Sequence, residues 1–123
     1  MGKKILIIED EEMISSVLVK KLTENGFEVI SANDGEDGLE KALKNLPDLI
    51  LLDIVMPKLD GITLMERYYQ AVGDKKAPII VLSNLDSAEK IEESKSKGVH
   101  DYLVKTNWSL DDVVKKIKET IGI

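Results

Sequence analysis

The chain has no cysteine among its 123 residues, a single histidine and only three prolines. The missing thiols exclude disulfides, thiolate metal centres and cysteine nucleophiles. A basic surplus is also missing: 17 Lys and Arg stand against 23 Asp and Glu, for a formal net charge of −6. An acidic domain neutralises few phosphates, so direct nucleic-acid binding by this domain is not expected. The opening MGKKILIIEDEE carries two lysines, but its apolar run is too short for a signal peptide or a membrane span. These absences lead to the expectation of a cytoplasmic protein that engages no membrane.

What remains is 43% apolar and 33% charged residues, interleaved along the chain. No linker, repeat or low-complexity segment interrupts residues 1–123, which read as one domain. A chain of this length buries roughly two-thirds of its unfolded surface. Short apolar runs recur at Lys4–Ile8, Phe27–Ser31, Leu49–Asp53, Ile79–Ser83 and Tyr102–Val104. Several are nearly continuous Ile, Leu and Val, the pattern of strands covered on both faces. Helical spacing lies between them: Ile14, Val17, Leu18 and Leu22, then Leu39, Ala42, Leu43 and Leu46, and finally Leu110, Val113, Val114, Ile117 and Ile121. Gly26 and Gly98 stand where helices should stop, and Asp86 with Glu89 and Ser109 with Asp112 resemble capping boxes. Strand alternating with helix five times predicts a parallel sheet with helices on both faces. The segment DSAEKIEESKSK, residues 86–97, offers only Ala88 and Ile91 as apolar anchors, which predicts a weakly held helix.

In an open parallel sheet, sites form beyond the carboxyl ends of the strands. The first run ends in Glu9-Asp10-Glu11, the third in Asp53, the fourth in Ser83 and the fifth in Lys105. Each has an ordinary explanation alone: acids suit a first helical turn, lysine a surface and serine a turn. Their joint placement on one rim is more informative. Clustered carboxylates repel and favour a hard cation with oxygen ligands, for which Mg²⁺ is the natural candidate. A carboxylate is also a nucleophile toward phosphorus, giving an aspartyl phosphate. Phosphoryl transfer needs an aligned oxygen, a metal and positive charge on the phosphoryl oxygens. Asp53, Mg²⁺ and Lys105 supply these, and Ser83 can donate a hydrogen bond.

With those residues placed, the chain resembles a receiver domain of two-component signalling, of the chemotaxis response-regulator type. The resemblance covers nearly the whole length through ILIIEDEE (Ile5–Glu12), LLDIVMPKLDG (Leu51–Gly61), VLSN (Val81–Asn84) and DYLVK (Asp101–Lys105). It implies a flavodoxin-like α/β fold, a doubly wound five-stranded parallel sheet in the order 2-1-3-4-5. It implies Asp53 as phosphoacceptor and Asp10 as direct metal ligand. Glu9 would bind the metal through water, and Val55 through its backbone carbonyl. Ser83 takes the switch hydroxyl position, Lys105 contacts the phosphoryl oxygens, and Tyr102 is the aromatic that moves inward on activation. Phosphate would come from a histidine kinase, a histidine phosphotransfer protein or a small phosphodonor. The output surface facing a downstream protein would be the helix over 86–97, the last strand and the last helix. His100, the only histidine, reads as an ordinary partly packed residue.

The chain departs from the family pattern after the lysine, where proline is usual and Thr106 stands here. A cis bond before a non-proline residue costs ~2.5–4 kcal/mol, so the loop either keeps a cis bond at that cost or is trans and rearranged. Trp108 is expected to cover the start of the last helix. Val55 and Leu85 occupy positions that border the phosphoryl group in this family. Both are apolar and unable to orient water, which predicts slow self-dephosphorylation. The protein is thus expected to be a phosphoacceptor switch rather than an enzyme. Two alternatives are a haloacid-dehalogenase-type phosphohydrolase and a receiver that binds partners without phosphorylation. The first wants a second Asp where Val55 stands, and Thr106 motivates the second.

Overall fold

Five apolar runs pair into one sheet, and their alternate residues feed two separate cores. The computed structural model describes residues 2–54, 58–84 and 88–123. Its strands are β1 (Lys4–Ile8), β2 (Glu28–Ala32), β3 (Leu49–Leu52), β4 (Ile79–Ser83) and β5 (Asp101–Val104). They lie in the order β2-β1-β3-β4-β5 with every pairing parallel. Helices α1 (Glu12–Glu24), α2 (Gly35–Asn45), α3 (Gly61–Val72), α4 (Ala88–Ser96) and α5 (Leu110–Ile121) alternate with the strands. This is the flavodoxin-like, doubly wound architecture expected from the sequence.

Successive side chains on a strand face opposite ways. Leu6, Ile8, Ile50, Leu52 and Val81 therefore join Leu64, Met65 and Tyr68 of α3 in one core. Ile5, Ile7, Leu51 and Leu82 join Leu18 and Leu22 of α1 and Val113 and Ile117 of α5 in the other. Leu52 has no exposed surface, and truncating such a residue to Ala costs about 2–5 kcal/mol.

Element boundaries differ from the sequence pattern by single residues, with local causes. Phe27 stays outside β2 because its N–H donates to Leu22 O at 3.1 Å, closing the end of α1 beside Gly26 at φ 87°. Gly98 ends α4 in the same left-handed way, at φ 96°. Asp101 starts β5 one residue early because it pairs with Ile80. Asp53 falls just past β3, not within it.

Helix α2 buries a different stripe from the expected one. Leu43 and Leu46 are 40% and 65% exposed, whereas Gly35, Gly38 and Ala42 are buried. The small residues let α2 approach β1 closely: a Cβ on Gly38 would lie 2.8 Å from the Ile8 side chain. Val17 and Leu110 likewise sit at the edges of their stripes, 47% and 37% exposed. In α4, Ala88 is exposed and Ile91 only partly buried. Asp34, Asp60 and Ser109 cap α2, α3 and α5, and Ser109 with Asp112 forms the expected capping box. The box expected at Asp86 falls outside the described residues.

Candidate functional site at the carboxyl ends of the strands

Strand register brings the acids together. Ile8 pairs with Leu52, so Glu9 and Asp53, the next residue on each strand, emerge side by side. Their backbones stay tied to the sheet: Asp53 N donates to Ile8 O and Glu9 N to Ala32 O, each at 3.0 Å. Ser83 ends β4 opposite Val104, and Lys105 follows Val104 directly in a short 3-10 turn over Lys105–Asn107. The Lys105–Thr106 peptide is trans.

The side chains converge on one cation. Lys105 Nζ lies 2.6 Å from Glu9 Oε1, 3.2 Å from Asp53 Oδ2 and 3.6 Å from Glu11 Oε1. Glu9 is only 4% exposed and Asp53 6%, while Asp10 is exposed on the rim. The second oxygen of Glu9 accepts from Glu11 N–H at 3.1 Å. Burial pushes the Glu9 carboxyl above its ordinary range. The Lys105 ammonium and the Glu11 N–H pull it back, the Asp53 charge adds to the rise, and the net direction is upward. Burial pulls Lys105 down, but Glu9 and Asp53 outweigh it and hold the ammonium above its usual range. Lys105 therefore stays charged at neutral pH.

Among the described residues, Glu9, Asp10 and Asp53 present carboxylate oxygens that all lie within 4.8 Å of one another. Three carboxylates against one ammonium leave an excess of two negative charges. An oxygen-only donor set with that excess, two of its members buried, fits a hard divalent cation. The residues present therefore suit a metal ion such as Mg²⁺. Val55, expected to offer a carbonyl to it, and Leu85, expected to border the phosphoryl group, lie outside the described residues.

Ser83 is 1% exposed, and strand alternation turns it to the same face of the sheet as Val81 and Tyr102. Val81 pairs with Tyr102, which puts Ser83 one diagonal step from the tyrosine on the neighbouring strand. Tyr102 itself is 9% exposed and belongs to the core beneath α3. The imidazole-bearing His100 is exposed just before β5, where its backbone N–H donates to Ile79 O, away from the acidic rim. Trp108 reaches back from α5's entrance to line, with Lys105, Leu82 and Met13, a groove of about 380 Å³ between α1 and α5. Glu11 was read only as part of an acidic triplet. Its two roles, one from its N–H and one from its carboxylate, depend on the turn geometry after β1.

No helix of the described residues is long and apolar enough to cross a membrane. The chain is 40% identical over 105 residues to the alkaline phosphatase synthesis transcriptional regulatory protein PhoP of Bacillus subtilis, covering 85% of this chain and 43% of PhoP. It is 33% identical to the chemotaxis protein CheY of the same organism, over 99% of this chain and all of CheY. The chain thus spans only part of some relatives, 43% of PhoP and 57% of the Mycobacterium tuberculosis regulator PdtaR, and the whole of another. Among solved structures, the Francisella response regulator 1452 receiver domain superposes with a TM-score of 0.88 at 32% identity, covering 98% of this chain and 97% of that one. The CheY-like receiver domain protein of Methanospirillum hungatei gives 0.90 at 28% identity, covering 98% and 94%. The family model that matches residues 5–118 is that of the response regulator receiver domain, and the chain belongs to that family.

Proposed function

We propose that the chain, residues 1–123 acting as one receiver domain, is a switch in which Asp53 accepts a phosphoryl group. Receiver domains of response regulators work with histidine kinases and downstream effectors. The donor here is a histidine kinase or phosphotransfer protein, and the compartment is the cytoplasm. The observation that carries the reading is the single ammonium of Lys105 held 3.2 Å from the nearly buried Asp53 at the end of the central strand.

An Asp53 carboxylate oxygen forms a bond to phosphorus as the donor's P–N or P–O bond breaks, and the departing imidazole or carboxylate keeps the electron pair. Glu9, Asp10 and Asp53, with the carbonyl of Val55, would hold Mg²⁺. When bound, the metal offsets negative charge shared between the carboxylates and the phosphoryl oxygens. Lys105 leaves Glu9 to pair with a phosphoryl oxygen, which costs little because it stays within the same cluster of charges. The Ser83 hydroxyl is drawn to another oxygen. Its displacement reaches Tyr102 across the β4–β5 pair and the chain entering α4. The surface formed by α4, β5 and α5 then changes for a downstream protein. Phosphorylation stabilises this arrangement by contacting it more strongly than the resting one.

Trp108, the only tryptophan, shares its groove with Lys105 and so provides a reporter. Titration with beryllofluoride, a phosphoryl mimic, should give a saturable, Mg²⁺-dependent change in Trp108 fluorescence that Asp53→Asn abolishes. No binding by the unaltered protein would support a receiver that acts without phosphorylation.

A further inference from the structure

Helix α4 has one fully buried side chain, and that side chain is polar. Ser94 has no exposed surface, whereas Ile91 is partly buried and Ala88, Glu89 and Lys90 are exposed. The Ser94 hydroxyl has no hydrogen-bond partner among the described residues. Serine and threonine in a helix commonly bond back to a carbonyl one turn earlier. Two others here do so at 2.7 Å: Ser96 Oγ to Glu93 O and Thr120 Oγ1 to Lys116 O. Ser94 makes no such bond, and it lies where the helix meets the core.

Among the described residues, contacts at the C-terminal end of α4 tie it to α3. Lys97 Nζ lies 3.6 Å from Glu66 of α3, and Tyr69 OH donates to Gly98 O at 3.1 Å. Val99 N closes the turn onto Ser94 O at 3.3 Å. On its inner face the helix gives the core the partly buried Ile91 and the buried Ser94 hydroxyl.

We propose that Ser94 is a positioning residue for the switch: its buried, unpartnered hydroxyl weakens the docking of α4 and so lowers the cost of repositioning that helix. A buried hydroxyl without a partner forfeits the hydrogen bonds it would make with water. Moving α4 away from the core gives the hydroxyl access to solvent, so the penalty falls on the resting arrangement alone. A ligand that binds the repositioned state then binds more tightly, because less of its affinity is spent on the conformational equilibrium. The coupling to phosphorylation rests on the reading proposed above. The effect on α4 docking does not.

The test compares Ser94→Ala with Ser96→Ala, which gains the same helix propensity without relieving a buried hydroxyl. In unliganded protein, Ser94→Ala should slow amide exchange in α4 roughly tenfold or more, with Ser96→Ala giving only a few-fold change. Ser94→Cys, whose thiol costs less to leave unbonded, should fall between serine and alanine. Equal slowing by Ser94→Ala and Ser96→Ala, or none by either, overturns the proposal. Beryllofluoride affinity should fall by about the same factor in Ser94→Ala. Slowed exchange with unchanged affinity would confine Ser94 to local stability and overturn its role in switching. If the unaltered protein itself fails to bind beryllofluoride, the phosphoacceptor reading falls and the coupling with it, while the exchange comparison still decides the docking effect.

Discussion

The ammonium of Lys105 lies closer to Glu9 than to Asp53, at 2.6 Å against 3.2 Å. In this state the cation is shared between an acid of the carboxylate cluster and the proposed phosphoacceptor. Lys105→Met would leave both buried carboxylates without it. Removing one partner from a buried ion pair costs about 3–5 kcal/mol, and urea unfolding at neutral pH should show a loss of that order. Magnesium chloride should restore part of it, and sodium chloride at equal ionic strength should not. A loss below about 1 kcal/mol would contradict the geometry.

The same contacts set an alkaline limit. The folded-state pKa of Lys105 lies above the ordinary 10.5, so its contribution is complete below pH 10.5 and is lost as pH rises through the higher folded value. Unfolding monitored above pH 10.5 should show Lys105→Met losing less stability than the unaltered protein.

Acid should act through the helix caps. Asp60 accepts from Thr63 N at 3.0 Å and Thr63 Oγ1 at 2.9 Å. The Thr63 N–H holds its carboxyl below the usual 3.8 against a smaller opposing effect of burial. A depressed folded pKa means stability present above pH 3.8 and lost as pH falls through the folded value. Asp60→Ala should cost about 1 kcal/mol at neutral pH. Asp60→Asn should keep most of the cap and remove its acid sensitivity, read as amide exchange at the start of α3 across an acid series.

Two backbone positions frame the loop after Asp53. A Cβ on Gly61 would lie 2.5 Å from Ile54 Cα, so Gly61→Ala should destabilise by about 1–3 kcal/mol and displace the residue next to Asp53. Lys58 adopts φ 68°, a left-handed conformation costly for a residue with a Cβ. Its exposed ion pair to Asp34, 3.5 Å long, is worth little. Lys58→Gly should therefore be neutral or stabilising in urea, and Lys58→Val destabilising.

The sheet was legible because strands buried on both faces leave continuous apolar runs, and Ile5–Ile8 and Leu49–Leu52 keep that signature in any context. The rim was legible because strand ends converge, so Glu9, Asp10, Asp53 and Lys105 could be placed together without knowing a side-chain angle. Two features were not legible. The buried stripe of α2 runs through Gly35, Gly38 and Ala42, and glycine carries no apolar signal even where close approach demands it. The choice of Glu9 as Lys105's nearest partner depends on side-chain reach across the β1–β3 pair, which spacing in the sequence does not encode. The buried Ser94 escaped for a related reason, since a polar residue on a charged helix reads as solvated.

On the proposed reading, the apolar residues Val55 and Leu85 predict a long-lived phosphoryl group on Asp53. Neither side chain can orient water for attack on phosphorus. Val55→Asn combined with Leu85→Glu should shorten the half-life of the phosphorylated protein, followed by mass at neutral pH. An unchanged rate would remove these positions from the account.

The most direct measurement is intact mass after incubation with acetyl phosphate and Mg²⁺. The account predicts a single added phosphoryl group, stable in acid, released by base and missing from Asp53→Asn. No adduct on the unaltered protein, or the same adduct on Asp53→Asn, would contradict it.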